Sequence, residues 1–153
     1  MPSPNPAYID ALIRVINASP FPSHMSMRLE SIAFDQAMVS LETGPCHLQA
    51  YGIAHGGVLA TLIDTATFWA VFLRLPQGDG LVNVDLKLNY LKPVTEGVLT
   101  AAGRCIRAGR SLSYAEAGVT DADGTLVAHG TSTLMTLPGK GLSLNEPKFL
   151  TAG

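Results

Sequence analysis

The sequence predicts an α+β domain in which an antiparallel sheet of about six strands wraps around one long buried helix, with a short helix ahead of it. Three observations carry this expectation. Val58 to Leu75 is mostly apolar on every side and holds no Gly or Pro beyond Val58 until Pro76 stops it; a helix hydrophobic all round has to be enclosed. Leu81 to Tyr90 alternates strictly between apolar and polar residues, which is the period of a strand. Three more strand-like runs follow with short turn sequences between them, as in an antiparallel meander.

In chain order, residues 1–6 are Pro-rich and expected to be mobile. Tyr8, Leu12, Val15 and Ile16, with Ile9 and Ile13 alongside, repeat at helical spacing, so Tyr8 to Ala18 reads as an amphipathic helix ended by Pro20 and Pro22. Met25 to Phe34 and Ala37 to Leu41 read as strands joined by a tight turn near Asp35, and Gly44-Pro45 opens a loop reaching about Ala54. In the long helix, Leu59, Leu62, Ile63, Ala66, Ala70 and Leu73 form one stripe, while Phe68, Val71 and Phe72 make the opposite side apolar as well. Gly78-Asp79-Gly80 is a turn. The alternation after it puts Val82, Val84, Leu86, Leu88 and Tyr90 on one face and Asn83, Asp85, Lys87 and Asn89 on the other. Gly97 to Arg107, Ser111 to Thr120 and Leu126 to Leu137 are the remaining strands, with Ala108-Gly109-Arg110 and Asp121-Ala122-Asp123-Gly124 as hairpin turns. Residues 138–153 read as a loose tail.

The 153 residues suffice for one domain with a proper core, taken as 1–153. The chain is 47% hydrophobic and only 14% charged, against about 25% charged in an ordinary soluble domain. Such a chain hides surface in an oligomer or lies against a membrane. A span at Val58 to Leu75 would be about 27 Å long, marginal for a bilayer, and Asp64 near its middle would cost roughly 2.5–3.5 kcal/mol. No membrane association is expected. The net charge of -2 gives no reason to expect nucleic acid. Cys46 and Cys105 form no CxxC pair and read as small buried or semi-buried residues. His24, His47 and His129 show no metal spacing, and no G-x-S-x-G elbow is present. The first residues lack the basic and apolar regions of a signal peptide, which makes a cytoplasmic protein the expectation.

The chemistry centres on Asp64, a lone carboxylate in an apolar helix. Burying it ionised and unpaired would cost several kcal/mol, and a mid-helix Asp is a poor helix former. A structural pairing with a basic group elsewhere is one reading; a reactive carboxylate is the other. Ahead of it stands Ala54-His55-Gly56-Gly57. Free N–H groups at a helix N-terminus favour negative charge and can stabilise an oxyanion. Gly56 and Asp64 are eight residues apart on one helix, about 12 Å along its axis, so both cannot act on one carbonyl within one subunit. If both act, the carboxylate and the oxyanion donor come from different chains of a homodimer.

Gly52-Ile53-Ala54-His55-Gly56-Gly57-Val58 through Asp64 and Ala66 resembles the hotdog-fold thioesterases, specifically the phenylacetate-degradation (PaaI-like) acyl-CoA group, whose pattern is G-x-x-H-G-G with Asp or Glu nine residues after the His. The strand Val82 to Pro93 and the basic turn Arg107-Ala108-Gly109-Arg110-Ser111 fit as well, and the likeness spans Gln49 to Leu137. The resemblance implies the hotdog fold and hydrolysis of an acyl-CoA thioester. It implies Asp64 as nucleophile or general base, Gly56 as oxyanion donor, His55 as support for the carbonyl site and Gln49 as the group orienting nucleophile or water. Gly57, Asn83 and Phe68 would line the substrate, Phe68 standing where some relatives carry Ser or Thr. Arg107 and Arg110, with Arg104 as a further candidate, would meet the phosphates of coenzyme A, and Trp69 and Phe72 are candidates for the acyl pocket. Coenzyme A enters as part of the substrate; no separate cofactor is expected. Subunits would pair with continuous sheets and assemble further into a tetramer. The alternatives are a hotdog hydratase or dehydratase and a non-catalytic acyl-CoA-binding module.

Overall fold

The structure, a computed structural model, describes residues 2–150. Helix α1 (Pro6–Asn17) starts where Asn5 accepts a hydrogen bond from the Ala7 N–H at 3.1 Å, and it buries Tyr8, Ala11 and Leu12. Pro20 and Pro22 do not simply end it. They open a second short helix, α2 (Pro20–His24), since a proline at the first helical position forgoes no hydrogen bond.

The six strands are β1 (Met27–Ala33), β2 (Gln36–Thr43), β3 (Gly80–Tyr90), β4 (Gly97–Ala108), β5 (Leu112–Thr120) and β6 (Leu126–Leu137). Every pairing is antiparallel, in the order β1-β2-β4-β5-β6-β3. The β1–β2 turn lies where expected, with Asp35 at φ 64° and ion-paired to Arg74 just past the long helix. That helix, α3 (Gly56–Phe72), lies on the inner face and touches all six strands. It buries Leu59, Leu62, Ile63, Ala66, Trp69, Ala70, Val71 and Phe72. Close approach needs Gly103 on β4: a Cβ there would stand 2.1 Å from the Ala66 carbonyl oxygen. With 17 residues, α3 is not long and apolar enough to cross a membrane, nor is any other helix among the described residues.

Three expectations are corrected. First, β3 does not alternate strictly. Its register against β6 slips between Asn83 and Asp85, so Val84 is an extra residue in a β-bulge. A one-residue slip exchanges the faces: Val82 and Val84 are exposed, while Asn83 turns inward with Leu86 and Leu88. Second, the tails are fastened. Pro4 bridges Phe149, the Leu150 N–H donates to the Ser3 carbonyl at 2.9 Å, and Lys148 is buried with its ammonium donating to the Phe72 and Leu75 carbonyls at 2.7 and 2.8 Å. Residues 151–153 lie outside the described residues. Third, Cys46 is exposed; Cys105 is half-buried, as expected, and burial pushes its thiol up to about 11, which leaves it a poor nucleophile.

Candidate active site

The residues singled out in the sequence gather at two places along α3. At its N-terminus, His55 is the cap: its Nδ1 accepts from the Gly57 N–H at 2.8 Å. The acceptor role leaves the imidazole proton on Nε2. It also takes the Gly57 N–H out of use, so Gly57 contributes room rather than a donor. The Gly56 N–H has no acceptor among the described residues, as befits the first residue of a helix. A cavity of about 380 Å³ lies beside it, lined by Gln49, Ile53, Leu59, Tyr90 and Val94 among others. The Tyr90 ring lies over Gly56, with its hydroxyl 2.8 Å from where a Cβ would stand. A side chain at this position would push the Tyr90 ring aside. Gln49 is held by its own loop, its Oε1 accepting from the Tyr51 N–H. Buried His47 secures the same loop, bonded to the Gly44 N–H at 2.8 Å and the Met25 carbonyl at 2.9 Å.

Two turns along, Asp64 is half-buried and no basic group meets it; the structural pairing that would explain it away is not there among the described residues. Asn83 Nδ2 donates to its Oδ1 at 2.8 Å and to Ser132 Oγ at 3.0 Å. Burial pushes the carboxyl of Asp64 up, and the Asn83 hydrogen bond pulls it back. Thr67 Oγ1 sits within 3.5 Å of the same amide nitrogen. Phe68, one turn beyond Asp64, is half-buried between the two apolar clusters of the core.

Other candidates fall elsewhere. Trp69 and Phe72 are core residues in edge-on contact at 5.0 Å. Arg104 is on the outer face of the sheet, bonded to Glu116 at 2.6 Å. Arg107 and Arg110 are exposed at the β4–β5 hairpin, at the end of the sheet where β3 begins. No group of three His, Cys, Asp or Glu side chains suited to a metal occurs among the described residues. Sequence reasoning missed Thr67, Ser132 and Tyr90 as site neighbours. The first two are buried hydroxyls on an apolar face, a signal too common to single out.

Fold and site together define a hotdog-type protein with a carboxylate and a helix N-terminus in reserve. Residues 51–128 match the Thioesterase superfamily. Human acyl-coenzyme A thioesterase 13 is 31% identical over 109 residues, 69% of this chain and 76% of its own. A Haemophilus influenzae protein with an esterase designation is 30% identical over 90 residues, 59% of this chain and 65% of its own, so this chain spans just under two thirds of that relative. Among solved structures, a thioesterase from Haemophilus influenzae superposes with a TM-score of 0.81 at 23% identity, over 91% of this chain and 96% of its own. A thioesterase family protein from Silicibacter pomeroyi gives 0.77 at 25% identity, over 86% and 99%. The chain belongs to the Thioesterase superfamily.

Proposed function

We propose that the protein hydrolyses acyl-CoA thioesters to the free acid and coenzyme A in a site shared by two copies of the chain, in the manner of the PaaI-like group it resembles. The observation that supports this is the free edge of β3. That strand is paired with β6 on one side only, and an unpaired edge of 11 residues invites another strand. Asn83, which holds Asp64, is near one end of β3, and Tyr90, which covers Gly56, is at the other. Antiparallel pairing of β3 with its copy about a two-fold axis at Lys87 sets Leu86 opposite Leu88, Asp85 opposite Asn89 and, across the Val84 bulge, Asn83 opposite Tyr90 of the second copy. Asp64 of one chain then faces Gly56 of the other, which removes the separation that forbids a site within one subunit.

In that site Asp64 attacks the thioester carbonyl or deprotonates the water that does. Negative charge develops on the carbonyl oxygen against the Gly56 N–H and the His55 Nε2–H. Collapse breaks the carbon–sulfur bond, and coenzyme A leaves as thiolate and takes up a proton; where water attacked, the acid is released directly, and where Asp64 attacked, a water cleaves the acyl–Asp64 anhydride to release the acid and restore the carboxylate. Both routes need Asp64 ionised, which the Asn83 hydrogen bond favours against burial. Gln49 orients the water or nucleophile from the Gly56 side. The β4–β5 hairpin of one copy comes to the Gly56 end of the other, where Arg107 and Arg110 meet the phosphates.

Thiol release from a panel of aryl- and medium-chain acyl-CoAs tests this. Asp64→Asn is expected to lose about 10²–10⁴-fold in kcat/KM; equal rates would refute the role of Asp64. Mixing inactive Asp64→Asn with inactive Gly56→Val is expected to restore about a quarter of wild-type activity through randomly formed hybrids. A fully exchanged mixture without rescue excludes the shared site.

A further inference from the structure

Ser132 is fully buried on β6, opposite Leu86. Its hydroxyl has one proton, and that proton goes to the Asp85 carbonyl at 2.8 Å, beside the β3 bulge. Towards Asn83 it can therefore only accept. Thr67 is in the same position: its hydroxyl donates to the Ile63 and Asp64 carbonyls at 2.9 and 3.0 Å, leaving only lone pairs for Asn83. The Asp64 carbonyl oxygen, 3.2 Å from Asn83 Nδ2, is a further acceptor. Everything within reach of that end of the amide accepts, so the amide presents its NH₂ group there. One proton goes to the Asp64 carboxylate and one to Ser132. The Asn83 oxygen is left buried with no partner among the described residues.

From this hydrogen-bond direction we infer that Ser132 is a positioning residue for the proposed hydrolysis: by committing its proton to Asp85 it locks the Asn83 amide as a donor and keeps the carboxylate of Asp64 charged and aimed. The inference rests on the reading of Asp64 given above. Its logic is a comparison of two states. When Asp64 gains a proton, a flipped Asn83 would accept it and stabilise the neutral acid. With Ser132 present, the flip either confronts the amide oxygen with a hydroxyl lone pair or makes that hydroxyl abandon a buried carbonyl. Without Ser132 the shortest of these oppositions at that position is gone, and only the longer contacts to the Asp64 carbonyl at 3.2 Å and Thr67 Oγ1 at 3.5 Å still oppose the flip. Charged groups do not replace this control. On β3, Asp85 and Lys87 are exposed; on β6, His129 lies on the outer face beside Glu116. Burial first, and the Asn83 amide against it, set the direction of the Asp64 shift.

The test follows the Asp64 carboxyl ¹³C resonance, assigned with Asp64→Asn, through a pH titration of wild type, Ser132→Ala and Ser132→Thr. The expected result is a midpoint about one pH unit higher in Ser132→Ala and a value near wild type in Ser132→Thr, which keeps the hydroxyl. The acid limb of kcat/KM for thiol release from phenylacetyl-CoA should move with it. On an Asn83→Ala background, Ser132→Ala should add no shift. An unmoved midpoint in folded Ser132→Ala overturns the inference, as does an equal shift on the Asn83→Ala background. If Ser132→Ala fails to fold, the near-isosteric Ser132→Cys, whose thiol is a weak donor, serves in its place. Full thiol release by Asp64→Asn would instead sink the role given to Asp64, while the titration would still decide whether Ser132 sets the amide.

Discussion

Lys148 offers a stability measurement with a defined sign. Its ammonium is 1% exposed at the C-terminal end of α3, donates to the Phe72 and Leu75 carbonyls, and lies 4.2 Å from the centre of the Phe72 ring. Carbonyls, helix dipole and ring all favour the charged form, but burial opposes it and prevails: the ammonium is pushed down from 10.5 to about 8. The folded protein thus releases this proton before the unfolded chain does. Stability should rise with pH wherever the unfolded state holds more protons, here from about 8 to 10.5. At ~1.4 kcal/mol per pH unit, that window corresponds to about 3 kcal/mol. Lys148→Met keeps an apolar stem on Phe72 but deletes the amine, leaving the Leu75 carbonyl without that donor at about 1–3 kcal/mol and the Phe72 carbonyl with the Leu75 N–H at 3.3 Å. Relief of the buried charge offsets part of this at neutral pH, and nothing offsets it once the wild-type amine is neutral. Urea unfolding of both proteins from pH 7 to 10.5 should show their stability difference widening with pH, by up to about 3 kcal/mol. Taking the difference cancels the other groups that titrate there. A difference that stays flat refutes the reasoning.

Gly103→Ala should destabilise the fold, because the new Cβ meets the Ala66 backbone at 2.1 Å and α3 has to shift. A cost of about 1–3 kcal/mol, or roughly 2–4 °C of melting temperature per kcal/mol, is expected by calorimetry, and an unchanged melting temperature contradicts the contact. Arg107→Ala with Arg110→Ala should raise KM for acyl-CoA about three- to tenfold with little change in kcat, since exposed charges contribute weakly. Pantetheine esters lacking the phosphates should show no such change; an equal loss with both substrates would place the arginines in another role.

Much of the fold was legible because it depends on local pattern. The apolar run from Val58 announced a buried helix, the hairpin turns separated the strands, and the turn at Asp35 fell where expected. Asp64 stood out because a charge in such a helix needs a reason, and Gly56 because a helix N-terminus preceded by His55 leaves a donor free. Asn83 shows where local pattern fails. Strict alternation set it opposite Leu86 and Leu88, and only the bulge at Val84 turns it towards Asp64. A bulge is a mismatch between two strands, so one strand read alone does not reveal it. Lys148 was hidden for a similar reason: a lysine in a Gly- and Pro-containing tail looks solvated until the carbonyls at the end of α3 are in place.

By itself, then, the sequence determined one buried helix in an antiparallel sheet, a carboxylate that apolar surroundings leave unexplained, and a spacing of about 12 Å that keeps it from Gly56 within one chain. Those follow from period, polarity and rise per residue, which are properties of single elements. The tertiary structure alone decided that Asp64 meets Asn83 rather than a basic group, that Ser132 and Thr67 fix the direction of that hydrogen bond, and that Tyr90 lies over Gly56. Those depend on register and on which atoms have protons to give, and both are settled only when separate strands are brought together.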